Sequence, residues 1–180
     1  PDMNWRRWHM KHPIMFNPVN PGDPWLYSMV GRVCNTCIMQ PDSRYGTLIR
    51  YNVDTGAEQV IAYGVRNSVG WDWDPRTGDI WWSDNNRQRM YNGDEMNRLV
   101  KPGEGPAPHF GSPYMYAHNL GFTPEEWATP SGRLEAMGYA SPVNGVVLSD
   151  KSPDQIDPNQ YEAPSFVMGS GTAPLGVKFW

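Results

Sequence analysis

An arginine followed by an asparagine, Arg66-Asn67, is the part of this chain whose residue types and spacing best suit chemistry. The pair lies between two strand-like runs, within residues 64–70. Arginine presents a rigid fork of donors that matches planar carboxylates, and asparagine adds a donor and an acceptor. Together they predict a grip on an anionic, oxygen-rich ligand. A polar strand edge can carry the same residue types, so the surrounding sequence must distinguish a ligand-binding pair from a structural one.

Two cysteines, Cys34 and Cys37, form a second candidate site. Their spacing is compatible with a disulfide, a redox pair, a haem site or half of a zinc site. Ile38 excludes covalent haem attachment, which needs a histidine at that position. His9 and His12 would complete a set of two cysteines and two histidines, but the strand-like sequence between the pairs lacks the zinc-finger pattern.

The elements that must position these residues are predicted to be a repeated strand-turn-strand unit. The repeat shows as a run ending in Asn-Pro or Asp-Pro, then Gly-Asp, then a second apolar run. The first copy is Phe16-Asn17-Pro18, Gly22-Asp23 and Trp25-Leu26-Tyr27-Ser28, and the second is Trp73-Asp74-Pro75, Gly78-Asp79 and Ile80-Trp81-Trp82-Ser83. The copies are 55–57 residues apart, close to the interval of about 50 residues expected of propeller blades.

Residues 47–52 and 58–63 flank Val53-Asp54-Thr55-Gly56, and this predicts a hairpin. We expect short antiparallel strands over residues 14–100. A helix is predicted at residues 123–127, where a threonine N-cap precedes a proline and two acids. Residues 101–175 otherwise have the pattern of a loop-rich insertion between blade strands.

Composition narrows the function classes. The 18 glycines and 18 prolines break the chain often, while 9 Trp and 9 Tyr can fill layers between sheets. The net charge of -4 argues against a nucleic-acid partner. The sequence contains no apolar run of about 18 residues, the length that would predict a membrane span. At about 45 residues a blade, residues 1–180 would form three to four blades of an all-β propeller, too few to close a ring.

Several motifs then occur in a single order: Arg66-Asn67-Ser68-Val69-Gly70, the Asp-Pro-x-Thr-Gly turn, Trp82-Ser83-Asp84-Asn85, Asp94-Glu95-Met96-Asn97-Arg98, His109-Phe110-Gly111-Ser112-Pro113 and Ala173-Pro174-Leu175-Gly176. This ordered set resembles the soluble quinoprotein sugar dehydrogenases, in particular the sorbosone dehydrogenase-like branch. The resemblance covers roughly residues 8–120 and the last eight. It implies a six-bladed β-propeller, the cofactor pyrroloquinoline quinone (PQQ) with calcium beside it, and oxidation of a sugar or a related alcohol or aldehyde.

The resemblance also implies roles for particular residues. His9 matches the family's general base, which takes a hydroxyl proton while hydride passes to the quinone. Arg66 and Asn67 match the pair that contacts the quinone, and Asn85 and Asp94 stand beside it.

Calcium would be bound by the backbone carbonyls of Asn85 and Asn86, because such ligands need no particular side chain. The following loop, residues 86–93, is shorter and more basic than the family pattern. The branch also carries a similar Cys-Asn-x-Cys, which implies a disulfide or buried thiol pair at Cys34 and Cys37 in a periplasmic or secreted protein. A cytochrome or a quinone is the implied electron acceptor.

Two classes of function remain open. His9, Arg66, Asn67 and Asp94 favour a quinoprotein oxidoreductase. Gly171, where the family often has histidine, and the altered loop favour a catalytically inactive propeller that acts as a binding module. A calcium-dependent lactonase would need a cage of acidic and amide ligands that the sequence does not show.

Overall fold

The fold is taken from a computed structural model, which describes residues 9, 13–32, 38–39, 44–86, 93–117, 120–121, 146–147, 158–169 and 171–180. Over these residues the chain is all-β, as predicted, apart from the short 3₁₀ helix Pro158–Gln160. None of the described helical residues forms a helix long and apolar enough to cross a membrane. The predicted helix at 123–127 and the residues Cys34, Cys37 and His12 lie outside the described residues.

In chain order the strands are β1 (Ile14–Phe16), β2 (Trp25–Val30), β3 (Ile38–Met39), β4 (Thr47–Asn52), β5 (Glu58–Tyr63), β6 (Trp71–Trp73), β7 (Ile80–Asp84), β8 (Glu95–Leu99), β9 (Met115–Tyr116), β10 (Leu120–Gly121), β11 (Val146–Val147) and β12 (Phe166–Val167). They form two four-stranded antiparallel sheets, ordered β1-β2-β4-β5 and β12-β8-β7-β6, and the two short pairs β9-β10 and β3-β11. The two copies of the sequence repeat are the hairpins β1-β2 and β6-β7.

The predicted hairpin of residues 47–63 is confirmed as β4 and β5, which pair in antiparallel register with an irregularity between Leu48 and Ile49. Local chemistry explains the turn. The Asn52 side-chain oxygen accepts hydrogen bonds from the backbone N–H groups of Asp54 and Thr55, at 3.0 and 2.9 Å. Gly56 then takes the left-handed conformation, with φ of 74°, that a side chain would oppose.

The core lies between the two sheets. Side chains alternate across a strand, so one row of each sheet faces the other. Tyr27 and Met29 of β2 meet Trp73 and Ile80 of the second sheet, and the rings of Tyr27 and Trp73 pack edge to face with centroids 4.8 Å apart. Trp82 is completely buried and packs edge to face on Phe110 at 4.6 Å.

A loop from the second sheet returns to the edge of the first. The backbone of Tyr63, the last residue of β5, bonds to Pro108 and Phe110, at 2.9 and 2.8 Å, and pairs in parallel with His109. The His109 ring lies against Gly64, where an added Cβ would meet it at 2.6 Å. Residues 108–112 therefore cover the C-terminal end of the outer edge of β5, at Tyr63.

Candidate functional site

The candidate site forms where strands of both sheets end. Leaving β2, Arg32 donates its backbone N–H to the carbonyl of Arg66, at 2.8 Å. Leaving β7, Asn85 donates its backbone N–H to the carbonyl of Asn67, at 3.2 Å. The segment that carries Arg66 and Asn67 is therefore held between the ends of β2 and β7.

Asp84, the last residue of β7, holds the same segment from the other side. Its two carboxylate oxygens accept hydrogen bonds from the backbone N–H groups of Arg66, at 2.7 Å, and Asn67, at 2.5 Å. Asp84 lies in the core-facing row of β7, two residues after the buried Trp82, and is itself buried. Burial raises the pKa of its carboxyl to about 6, although the two N–H donors and the charges of Arg66 and Arg32 oppose that rise.

The guanidinium of Arg66 is almost completely buried, and its Nη1 donates to the carbonyl oxygen of Asn85 at 2.6 Å. The Asn85 side chain in turn donates to the carbonyl oxygens of Asn67 and Pro174, at 3.1 and 3.0 Å. Arg66, Asn67 and Asn85 thus form one bonded group, to which residues 173–176 are attached.

The Asn67 side chain differs from the Asn67 backbone in its hydrogen bonding. Both backbone groups are bonded, the N–H to Asp84 and the carbonyl to Asn85. None of the described residues hydrogen-bonds to its side-chain amide, and the residue is half-buried. A fixed backbone with an unengaged amide is suited to contacting a ligand.

His9 lies next to this group. Its Nδ1 is 2.7 Å from the carbonyl oxygen of Arg32, and because a carbonyl only accepts, Nδ1 carries the proton and Nε2 is the acceptor nitrogen of the neutral ring. Its backbone is close to Gly31, where an added Cβ would meet the His9 carbonyl oxygen at 2.8 Å. Burial first, and then the charge of Arg66, lowers the pKa of His9 to about 3. The imidazole is therefore neutral at physiological pH.

Asp94 ties three segments together. Its Oδ1 accepts the backbone N–H of Asn86 at 2.8 Å, while its Oδ2 accepts the hydroxyl of Thr172 at 3.0 Å and the backbone N–H of Ala173 at 2.7 Å. The Asn86 side chain donates to the carbonyl oxygen of Gly93 and to Glu95, the latter at 3.3 Å. Asp94 is thus joined to the Arg66 group through Asn86 and Asn85.

The structure therefore brings the predicted site residues into one region. A continuous chain of contacts runs through His9, Arg32, Arg66, Asn67, Asn85, Asn86 and Asp94. The functional role of each residue stays a prediction.

Three residues of this region were not predicted from the sequence: Arg32, Asp84 and Glu95. Glu95 is the register partner of Asp84 across β7 and β8, and burial, followed by the charge of Asp84, raises the pKa of its carboxyl to about 8. Arg32 is buried and donates from Nη2 to the carbonyl oxygen of Ser112 at 2.9 Å; burial lowers its pKa to about 10. A charged residue at the apolar phase of a strand, as Asp84 is after Ile80 and Trp82, is the signal that could have identified one of them.

A calcium ion at this site would have to use oxygen ligands, of which it takes six to eight. The carbonyl of Asn85 already accepts from the Arg66 guanidinium, and a second cation there would be repelled by that charge. Asn86 lies beside the Asp94 carboxylate and fits a cation better. Among the described residues no group of three or more His, Cys, Asp or Glu could hold a metal. Asn85 thus does not fit as a calcium ligand in this arrangement.

A groove of about 330 Å³ lies at the opposite end of the sheets, beside Trp25, Arg50 and Lys101. It contains none of the predicted site residues. Its charged groups are engaged, since Arg50 stacks on Trp25 at 4.2 Å and bonds to Gln59 at 2.7 Å. Among the described residues, the predicted site residues therefore lie at the His9 and Arg66 end of the sheets.

The chain has relatives among known proteins, although no family model matches it. It is 34% identical to an uncharacterized protein of Borreliella burgdorferi over 143 residues, which are 78% of this chain and 30% of that protein. Its fold is similar to a calcium structure and an iodide structure of Trichoderma reesei carbohydrate-active enzymes family AA12, each with a TM-score of 0.62.

The identities to these two structures are 21% and 20%, and each match covers 93% of this chain but 45% of the longer one. At such identity the likeness shows the fold alone. The chain spans less than half the length of each of these three proteins.

Proposed function

We propose that this protein is a quinone-dependent oxidoreductase that acts on a sugar or a related alcohol or aldehyde, and that its two sheets are blades of a six-bladed β-propeller. PQQ is the proposed cofactor, following the resemblance to the sorbosone dehydrogenase-like quinoproteins. The two structures of similar fold belong to a carbohydrate-active enzyme family, and the proposal extends that substrate class to this chain. A periplasmic or secreted location belongs to the same proposal.

One observation carries the proposal. A neutral histidine and a buried arginine, 57 positions apart in the sequence, are bonded to the same residue, Arg32. The Arg32 carbonyl accepts a hydrogen bond from His9 Nδ1–H, and the Arg32 N–H donates to the carbonyl of Arg66. A base and a cation brought together by the backbone of one residue suit alcohol oxidation, because a proton must leave as negative charge develops on the acceptor.

The residues of the chain would share the work as follows. PQQ, when bound, accepts the hydride. His9, with its acceptor nitrogen Nε2, takes the proton of the substrate hydroxyl. Arg66 supplies positive charge toward the reduced ring, and the half-buried amide of Asn67 orients it. Burial is the main cause of the low pKa of His9, and an anionic ligand beside Arg66 would offset only the second cause, the charge of Arg66.

Calcium enters this proposal at the carbonyl of Asn86, whose N–H bonds to Asp94, rather than at Asn85. There it would add positive charge near the ligand. No step assigned to His9, Arg66 or Asn67 depends on it.

The test is Arg66→Ala, with Arg98→Ala as the matched control at the other end of the sheets, where Arg98 pairs with Asp79 at 2.6 Å. We expect Arg66→Ala to weaken PQQ binding at least tenfold and to abolish dye reduction with sugar substrates, because a buried charge-assisted contact is worth about 1.5–3 kcal/mol. Arg98→Ala should change neither. The measurements are PQQ titration by fluorescence and a dye-reduction assay.

The alternative, a catalytically inactive binding module, is separated by the same assays. Binding of PQQ by the unchanged protein without turnover would indicate the module. Equal turnover of Arg66→Ala and the unchanged protein would refute the role of Arg66.

A further inference from the structure

The backbone of residues 66–67 is unusual for a loop because all four of its polar groups are bonded. The two carbonyls accept from Arg32 and Asn85. Both N–H groups donate to a single side chain, the carboxylate of Asp84. Every backbone polar group of Arg66 and Asn67 therefore has a hydrogen-bond partner, and for both N–H groups that partner is Asp84.

Asp84 is suited to this task in a way that no neutral residue is. Each oxygen accepts one N–H, Oδ2 from Arg66 at 2.7 Å and Oδ1 from Asn67 at 2.5 Å. An ionised carboxylate has two equivalent acceptors, whereas an amide has one acceptor and one donor group. The side chain is 2% exposed, so water cannot replace a lost partner.

The position of Asp84 is set by the sheet and not by the loop. Asp84 ends β7 and pairs in register with Glu95 of β8, so its Cα is fixed by the strand ladder. The charges of Arg66 and Arg32 act on its carboxylate. A group anchored in the sheet thus fixes the backbone from which the Arg66 and Asn67 side chains extend.

We propose that Asp84 is a positioning residue of the candidate site: its carboxylate fixes the backbone of Arg66 and Asn67 and so directs their side chains at the ligand. The direction of those side chains toward a ligand rests on the function proposed above. The hydrogen bonds by which Asp84 fixes the backbone are independent of that function.

The test compares Asp84→Asn with Asp79→Asn. Asp79 is an equally buried carboxylate that immediately precedes the same strand, where it bonds to Arg98 and to the backbone of Lys101, far from Arg66. Asparagine at 84 can accept one N–H and would turn its own amide hydrogens toward the other. Hydrogen exchange at the amides of residues 66 and 67 should become at least tenfold faster in Asp84→Asn and stay unchanged in Asp79→Asn.

The second readout is the Kd for PQQ, measured by fluorescence titration. We expect it to rise at least tenfold in Asp84→Asn and to stay within twofold in Asp79→Asn. Unchanged exchange in Asp84→Asn, or equal acceleration in both variants, would overturn the proposal. Lack of PQQ binding by the unchanged protein would overturn the proposed function, and the exchange data alone would then decide the role of Asp84.

Asp84→Glu covers the case in which Asp84→Asn does not fold. Glutamate keeps both acceptor oxygens but places them one methylene farther from the strand. The amides of residues 66 and 67 should remain protected, while the Kd for PQQ should still rise severalfold because the loop is displaced. An unchanged Kd in a folded Asp84→Glu protein would contradict positioning.

Discussion

At the scale of single residues, His9 makes the stability of the protein depend on acidity. Its pKa is about 3 in the folded chain and about 6.5 in an unfolded one. Below pH 6.5 the His9 imidazole binds a proton in the unfolded chain but stays neutral in the folded one. The contribution of His9 to folding stability therefore falls as the pH drops through this range and levels off near pH 3, whereas the raised pKa values of Glu95 and Asp84 act in the opposite direction.

We predict that His9→Asn removes this loss. Asparagine tolerates the left-handed backbone of His9, whose φ is 49°, and can keep the hydrogen bond to the Arg32 carbonyl. Between pH 6.5 and pH 5 the unchanged protein should lose about 2 kcal/mol more stability than the variant. Urea unfolding at several pH values measures the difference, and parallel curves for the two proteins would show that His9 is charged in the fold.

The residues that the sequence predicted together lie together because they stand at strand ends, and the repeat located those strands. Arg66 and Asn85 are such a pair. Asp84 and Arg32 were missed because their roles depend on register and on which loop passes beside them. Neither quantity is visible in a linear pattern.

At the scale of elements, the approach of residues 175–176 to the start of β6 depends on Gly70. A Cβ there would lie 2.8 Å from both the Gly176 Cα and the Leu175 carbonyl oxygen, which are backbone atoms that cannot move aside alone. The hairpins were predictable from turn chemistry and alternation. The approach of residues 175–176 to Gly70 was not predictable, because a glycine in a sequence does not reveal which distant segment packs against it.

We predict that Gly70→Ala destabilises the protein by about 1–3 kcal/mol through overpacking. It should also loosen the bond between Asn85 and the Pro174 carbonyl, because both belong to the displaced contact. Gly22→Ala is the control, since the nearest atom there is 3.9 Å away, and it should change stability little. Equal urea midpoints for Gly70→Ala and Gly22→Ala would contradict the close approach.

At the scale of the whole molecule, stability depends on the layer of aromatic rings between the two sheets. The tryptophan-rich composition and the repeat predicted such a layer, but not which rings would meet. Trp82 is fully buried against Phe110, whereas Trp180 is fully exposed.

We expect Trp82→Ala to cost about 3–5 kcal/mol, because it removes a buried indole and leaves a cavity. At roughly 2–4 °C for each kcal/mol, the Tm should fall by about 10 °C. Trp180→Ala, the same change on the surface, should leave the Tm within about a degree. Differential scanning calorimetry makes the comparison, and similar Tm values for both variants would refute the position of Trp82 in the core.

The covering of β5 by residues 108–112 bears on behaviour in concentrated solution. A bare outer strand offers its N–H and C=O groups as a template on which other chains can add. Here Pro108 and Phe110 already take the groups of Tyr63, and Gly64 bonds to Ser112 at 3.2 Å. At this end of β5 the chain's own loop thus takes the backbone groups with which another chain could otherwise pair.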